Sequence, residues 1–221
     1  MQLSQTTLDI LKNFSSINTN LVIKAGSKIE TVSASKDIIA SYECDETFAK
    51  QLSIFNMNEF LGVLGAFDKP ELDLDDKSVT IKQGKQQVKY NFADEDLLIT
   101  PPKKGITFPT SDISFELLDV TLAKLHKMAS ILSSEDMSVI GNGKNITIKI
   151  FDKKNPLTNT FDFDVETETT EVFQVNFKID KLKLYPGTYT LDISNKKISR
   201  FTHSALSLIY FVAVESDSTF A

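Results

Sequence analysis

Two acidic runs in this 221-residue sequence place a carboxylate at every second position. The longer run comprises Asp162, Asp164, Glu166 and Glu168, and the shorter one comprises Glu71, Asp73 and Asp75. Because side chains alternate between the two faces of a β-strand, each run would collect its carboxylates on one face, as a two-metal nuclease site would require. The intervening residues are mostly apolar, which is typical of a sheet with one face in water. We therefore favour solvated strands over a metal-dependent nuclease.

The remaining reactive side chains do not form a recognisable catalytic set. Cys44 is the only cysteine, and with two histidines it does not complete a zinc site of ordinary spacing, so we expect a buried strand residue. His126 and His203 have no nucleophile or acid at a triad-like spacing. The segment Gly141-Asn142-Gly143-Lys144 lacks the second half of the Walker pattern and predicts a hairpin turn. We expect no enzyme activity, no catalytic residue, no metal and no cofactor.

Charge and hydropathy restrict the partners. The net charge is −6, with 24 basic and 30 acidic residues, although a local basic surface can coexist with an acidic remainder. Arg200 is the only arginine, whereas direct reading of base pairs relies on the arginine fork, so any bound nucleic acid would be contacted without sequence recognition. Apolar stretches fall short of the ~20 residues that span a bilayer, and the start of the chain lacks the pattern of a signal peptide. We expect a cytosolic protein without a membrane partner.

The chain contains an internal repeat. Residues 7–17 align with residues 121–131, and both copies show the apolar spacing of an amphipathic helix that leads into strands. Further on, residues 55–60 align with residues 177–182, where a strand leads into a second helix. A proline-rich stretch separates the copies. The sequence thus predicts a duplicated α+β fold, with domain 1 at residues 1–99, a connector at 100–111 and domain 2 at 112–221.

Several phrases along the chain resemble the sliding clamps of T-even-like bacteriophages. They are Leu11–Asn18, Met57–Leu64, Phe108-Pro109, Tyr185–Tyr189 and Val212–Thr219. Each phrase alone is weak, but their order, their spacing and the two-copy layout make the match specific. The resemblance implies the DNA-clamp fold, with two similar domains per chain. It also implies a homotrimeric ring, in which helices line a central channel and antiparallel sheets form the outside.

The resemblance further implies a function and its partners. Members of this family encircle double-stranded DNA without sequence specificity and tether the replicative DNA polymerase. A clamp-loader ATPase complex places the ring, and factors for phage late transcription are a further implied partner. The implied location is the cytoplasm of the infected bacterial host. A ring that slides needs weak, delocalised attraction to phosphates, which lysine ammonium groups supply.

Candidate channel residues are the lysines on the predicted helices. They are Lys12, Lys124, Lys127, Lys181 and Lys183. Lysines on any solvated helix face look the same, so ordinary exposure is the alternative. The predicted helix at residues 58–67 carries Glu59 and no lysine. Set against the four nearby acids Asp9, Glu59, Asp119 and Asp180, the five lysines leave only a mildly basic channel.

Two further sets of residues follow from the resemblance. The family joins the last strand of domain 1 to a strand of domain 2 in the neighbouring subunit, and we map these to residues 86–92 and 172–178. The proposed interface side chains are Val88, Tyr90, Phe92, Phe173, Val175 and Phe177. The proposed partner pocket comprises Leu98, Ile99, Pro101, Ile106, Phe108 and Val214. Ordinary core or connector packing is the alternative for each set.

A second class of function stays open at this stage. The negative net charge and the lysine-free second helix also suit a duplicated, β-rich phage adaptor or structural protein that does not bind DNA. Retention on circular but not on linear DNA discriminates between the two functions.

Overall fold

The protein divides into two units in a computed structural model that describes residues 1–220. The first unit comprises Met1–Ile106 with Ser207–Ile209, and the second comprises Thr107–Leu206 with Tyr210–Ala221. The expected connector at residues 100–111 is therefore shared between the units, and the division falls after Ile106.

The first unit alternates helices with short antiparallel sheets. Its elements are α1 (Gln5–Ile17), β1 (Leu21–Ile23), β2 (Gly26–Val32), β3 (Ile38–Phe48), β4 (Leu52–Ile54), α2 (Met57–Gly65), β5 (Glu71–Leu74), β6 (Ser78–Gln83), β7 (Gln86–Asn91) and a 3-10 turn at Glu95–Leu97. Strand β1 pairs with β4, β2 pairs with β3, and β5, β6 and β7 form a sheet in that order. Strand β7 lies at the edge of its sheet.

Helix α1 is fixed at its start by polar contacts and along its length by an apolar stripe. The Ser4 hydroxyl accepts the Thr7 N–H at 3.2 Å, which satisfies one of the free donors of the first turn. The Glu46 carboxylate on β3 accepts the Thr7 hydroxyl at 2.8 Å and also the Ser4 N–H. The buried stripe comprises Thr7, Ile10, Leu11, Phe14 and Ile17. The helix predicted from the first copy of the repeat is thus confirmed, with its stripe against the core.

The second unit repeats this order with a larger sheet. Its elements are β8 (Ile113–Leu117), α3 (Asp119–Leu132), β9 (Asp136–Asn142), β10 (Asn145–Phe151), β11 (Phe161–Glu168), β12 (Val172–Lys178), a 3-10 turn (Ile179–Lys181), β13 (Tyr189–Ser194), β14 (Ile198–His203), β15 (Leu208–Ala213) and β16 (Thr219–Phe220). One sheet has the order β11-β10-β9-β12-β16, and the strands of the other follow the order β15-β14-β13-β8 within this unit, although Leu208 and Ile209 of β15 are counted with the first unit. The predicted hairpin turn at Gly143 joins β9 to β10.

Helix α3 covers the first of these sheets. It contacts β10, and its buried stripe comprises Thr121, Leu122, Leu125 and Ala129. The second helix of this copy is reduced to the single 3-10 turn, which Leu182 follows as a buried residue. None of the helices within residues 1–220 has the length and apolar character needed to cross a membrane.

Candidate nucleic-acid and subunit interfaces

Two of the five candidate channel lysines form ion pairs inside their own unit. Lys12 Nζ lies 3.0 Å from Asp9 Oδ1, three residues earlier on α1. Lys181 Nζ lies 3.0 Å from Glu215 Oε1. Each pair reduces the positive charge that the side chain presents to a polyanion. Both are at least partly exposed, so each contributes little to stability.

The other three candidates differ in their surroundings. Lys124 and Lys127 are exposed on successive turns of α3. The Lys124 ammonium lies 5.8 Å from the centroid of the Phe161 ring, a cation–π contact that directs it toward β11. The Lys127 ammonium makes no ion pair or hydrogen bond within residues 1–220. Lys183 is exposed just after the 3-10 turn. Among the α3 lysines, Lys127 is thus the one available to a phosphate.

Helix α2 offers no cation. It begins after Asn56, whose side chain accepts the Glu59 N–H at 3.1 Å, and its exposed positions include Asn58 and Glu59. The Glu59 carboxylate forms no ion pair within residues 1–220. A carboxylate on a DNA-facing helix would repel phosphates, so Glu59 needs another explanation if α2 lines a channel.

Strands β7 and β11 each leave one backbone edge unpaired among the described residues, as do other strands at the ends of the sheets, such as β5 and β8. Strand β7 pairs only with β6, and β11 pairs only with β10. An unpaired edge is a template for another strand, and native proteins normally cover, charge or pair it. Nearly every residue of β7 is exposed, whereas β11 alternates strictly between half-buried and exposed residues. The two edges therefore qualify as contact strands for another chain.

The structure corrects one of the two proposed contact strands. Strand β12 is internal, because β9 pairs with all of it and β16 pairs with its beginning. Phe173, Val175 and Phe177 are buried, with at most 4% of their surface exposed. They form core and do not present an edge to a neighbour. Sequence alternation alone did not distinguish β12 from β11, because both strands carry aromatic and β-branched residues at every second position.

Strands β7 and β11 carry their apolar side chains on the face that a helix of the same unit covers, which is α2 for β7 and α3 for β11. On β7, the Tyr90 ring lies 5.2 Å from the Phe60 ring of α2, and the Tyr90 hydroxyl donates to the Asn56 carbonyl at 3.3 Å. On β11, Phe161 lies beneath Lys124 of α3. Phe163 and Val165 share the half-buried face of β11 with Phe161.

The acidic runs lie on the opposite, wet face of their strands. Asp162, Asp164, Glu166 and Glu168 are all exposed, as are Glu71, Asp73 and Asp75. Within residues 1–220, no group of three or more histidine, cysteine, aspartate or glutamate side chains is arranged to hold a metal ion. The interpretation of solvated strand faces is confirmed by this exposure. Cys44 is buried on β3, as expected.

The two histidines occupy structural positions in the second unit. Burial lowers the pKa of His126, while a hydrogen bond with the Leu182 backbone opposes this shift. His203 Nδ1 accepts the backbone N–H groups of Ala205 and Leu206 at 3.0 and 3.1 Å. His126 connects α3 to the segment at Leu182, and His203 stabilises the turn that contains Ala205 and Leu206.

Residues proposed for a partner pocket differ in accessibility. In the first unit, Leu98 is 8% exposed, Ile99 is 38% exposed, and Pro101 and Ile106 are half-buried. In the second unit, Phe108 is half-buried and Val214 is 7% exposed. Leu98 and Val214 are thus buried, contrary to the expectation of an accessible surface. Leu97, which sequence reasoning missed, is 69% exposed on the 3-10 turn.

Arg200 anchors the beginning of the second unit. Its guanidinium carbon lies 4.6 Å from the centroid of the Phe108 ring, which itself stacks on Phe211 at 6.4 Å. Arg200 Nη2 and Nε also donate to Asp192 Oδ2 at 2.7 and 3.2 Å. The planar fork makes both contacts at once, which a lysine ammonium does not reproduce. Together, Arg200 and Phe211 therefore hold the Phe108 ring.

Comparisons with known proteins agree with this architecture. Residues 3–100 match the family described as DNA polymerase processivity factor. The sliding clamp of Vibrio phage KVP40 is 30% identical over 223 residues, which cover 98% of this chain and 100% of that relative. The sliding clamp of Enterobacteria phage T4 is 27% identical over 231 residues, or 99% of each chain.

Solved structures give the same fold. A. fulgidus PCNA, determined with the C-terminal region of FEN-1 bound, superposes with a TM-score of 0.71 at 12% identity and with 96% of each chain covered. The expected clamp fold, with two similar domains per chain, is confirmed by this superposition. The resemblance found in the sequence phrases is confirmed by relatives that match almost the whole chain. The protein belongs to the sliding-clamp family of DNA polymerase processivity factors.

Proposed function

We propose that this chain assembles into a closed homotrimeric ring that encircles double-stranded DNA and tethers the replicative polymerase during phage DNA replication. The proposed role includes no catalytic step. The observation that carries it is that β7 in the first unit and β11 in the second both have an unpaired edge and carry side chains that match each other. A contact between two different surfaces of the same chain is heterologous, and successive heterologous contacts close into a ring when the rotation permits. Family membership supports closure at three subunits.

The side chains of the two edges are complementary. Antiparallel pairing, which every strand pair given above adopts, brings Val88 and Tyr90 of β7 onto the apolar face of β11. In one such register, Tyr90 lies opposite Phe163 and Phe92 lies opposite Phe161. The same register places Lys89 of β7 opposite Asp164 of β11 on the wet face. A shift of the register by two residues preserves both the apolar match and the charge match, with Lys89 then opposite Asp162. A shift by one residue destroys both matches, because it exchanges the two faces of the strand.

This joint replaces the one expected from the sequence. Val88, Tyr90 and Phe92 remain as interface residues, while Phe161, Phe163 and Val165 take the place of Phe173, Val175 and Phe177. The half-buried state of the β11 residues suits this role, since a neighbour could still cover their remaining exposed surface.

DNA contact is assigned to lysines that remain exposed on the helices. Lys127 is the best placed, and Lys12 and Lys181 would contribute less because Asp9 and Glu215 partly neutralise them. An ammonium group that contacts phosphates through water attracts the duplex without fixing its register. Sliding along any sequence follows from such contacts.

Partner proteins are proposed to dock on the exposed connector. A. fulgidus PCNA has been solved with the C-terminal region of FEN-1 bound, which supports docking of a partner's tail on a clamp. The accessible apolar residues here are Leu97, Ile99, Pro101, Ile106 and Phe108. The proposed partners are the polymerase, a clamp-loader ATPase complex and factors for late transcription, in the cytoplasm of the infected bacterial host.

The decisive experiment is loading onto nicked circular DNA with the cognate loader and ATP, followed by gel filtration at high salt. A topological link predicts that the protein stays with circles and runs off after linearisation. Loss of the protein from circles and linear DNA alike would reject the ring. The adaptor function, which the net charge of −6 also suits, would then stand.

A further inference from the structure

The Lys124 ammonium is held at the edge where a second copy would join. It lies 5.8 Å from the ring centroid of Phe161, the first residue of β11, and it makes no ion pair within residues 1–220. Val120, one turn earlier on α3, is 73% exposed. A cation beside exposed apolar surface at a free edge is typical of a contact surface that another chain completes.

Glu59 occupies the corresponding place beside the other free edge. It lies on α2 next to Phe60, whose ring contacts Tyr90 of β7. Burial raises the pKa of Tyr90, and the negative charge of Glu59 raises it further. Glu59 is exposed and, within the described residues, has no cationic partner of its own.

Joining the two edges brings these charges together. The covering helix of each edge lies on the apolar face, since Phe60 packs on Tyr90 and Lys124 lies over Phe161. When the apolar faces continue across the joint, α2 of one copy and α3 of the next lie on the same side of the shared sheet. Tyr90 then lies opposite Phe163, or opposite Phe161 after a slip by two residues, so Tyr90 beside α2 and Phe161 beneath Lys124 are at most two strand positions apart across the joint.

We propose that Glu59 of one copy and Lys124 of the next form an ion pair across each joint of the ring. Lys124 is then an assembly residue rather than a DNA contact. This inference rests on the proposed ring and adds to it the charge pair that aligns the helices. It also accounts for a carboxylate on α2, since Glu59 is neutralised by the neighbour before DNA enters the channel.

The test is charge reversal with rescue, read by sedimentation velocity over a range of protein concentrations at low and high salt. The variants are Glu59→Lys, Lys124→Glu and the double variant. Lys196→Glu is the matched control for Lys124→Glu, because it makes the same charge change at an exposed turn and has no ion pair within residues 1–220. Thermal melts check that each variant folds, which the exposure of both positions favours.

Each single reversal is expected to raise the dissociation constant of the joint by roughly 5- to 30-fold at low salt, because attraction becomes repulsion. The double variant should recover most of this loss, and the control should match the wild type. Singles that assemble like the wild type, or a double variant without rescue, would overturn the ion pair and leave the ring intact. A wild-type protein that stays monomeric at every concentration would instead overturn the ring itself.

Discussion

At the scale of single residues, Gly141 is required by close packing. A Cβ added there would lie 2.3 Å from Cε1 of Phe173, which faces it across β9 and β12 and is itself 4% exposed. We expect Gly141→Ala to reduce the free energy of unfolding by about 1–3 kcal/mol in urea titrations. Gly65→Ala is the control, because its Cβ would meet open space on α2. Equal effects of the two substitutions would argue against this packing.

Asp192 makes the stability of the second unit depend on pH. Burial raises the pKa of its carboxyl, but hydrogen bonds from Arg200, Ser114 and Ser111 together with the Arg200 charge outweigh burial and hold the pKa below its usual range. A lowered pKa means that the ionised carboxylate stabilises the fold at neutral pH. This contribution is present above the unfolded-state pKa of about 3.9 and is lost as the pH falls through the folded-state value.

Asp192→Asn should therefore lower Tm relative to the wild type at neutral pH. This difference in Tm should disappear in acid, as measured by thermal melts over a series of decreasing pH values. The hydrogen bonds to a charged group suggest a neutral-pH loss on the order of 1.5–3 kcal/mol. The control is Asp68→Asn, because Asp68 is exposed and forms no ion pair within residues 1–220. A deficit that persists unchanged into acid would contradict the assigned role of the carboxylate.

At the scale of elements, β11 and β12 carry similar residues but have different neighbours. Phe163 lies half-buried on a free edge, whereas Phe177 is fully buried between β9 and the core. Phe163→Lys should leave the unit folded but prevent assembly, because it places a charge in the proposed joint. Phe177→Ala should cost about 3–5 kcal/mol of stability whatever the assembly state.

Melting curves and sedimentation velocity separate these two effects. If Phe163→Lys assembled normally, β11 would not be the contact strand. If Phe177→Ala weakened assembly without lowering stability, the sequence-based choice of β12 would regain support. The distinction depends on pairing partners that lie far away in the chain, which is why the local pattern misassigned it.

At the scale of the whole molecule, the acidic chain must still attract DNA inside the proposed ring. Lys127 has no ionic partner within residues 1–220 and should attract phosphates with its full charge. Lys127→Glu should weaken retention on circular DNA. It should also reduce the slope of log K against log salt by up to about 0.9 for each phosphate that the lysine neutralises. A salt series on loaded protein measures this slope, with Lys196→Glu as the control. An unchanged slope would remove Lys127 from the channel.

Much of the architecture could be predicted because it depends on local periodicity and on a repeat. The apolar spacing of residues 7–17 and 121–131 predicted α1 and α3, and Gly143 predicted the β9–β10 turn. These features are local, since helix and turn geometry depend on residues a few positions apart. The clamp resemblance also came from short phrases in a fixed order.

The tertiary structure decided which strand edges stay free and which side chains are accessible. Strand β12 is internal only because β9 and β16 flank it, and Leu98 and Val214 are buried although the sequence predicted them to be accessible. Lys12, Lys124 and Lys127 look alike in the sequence, yet one pairs with Asp9, one reaches Phe161 and one is unpartnered within residues 1–220. The physical reason is that a pattern with a period of two assigns the faces of a strand, whereas its neighbours are set by contacts between distant segments.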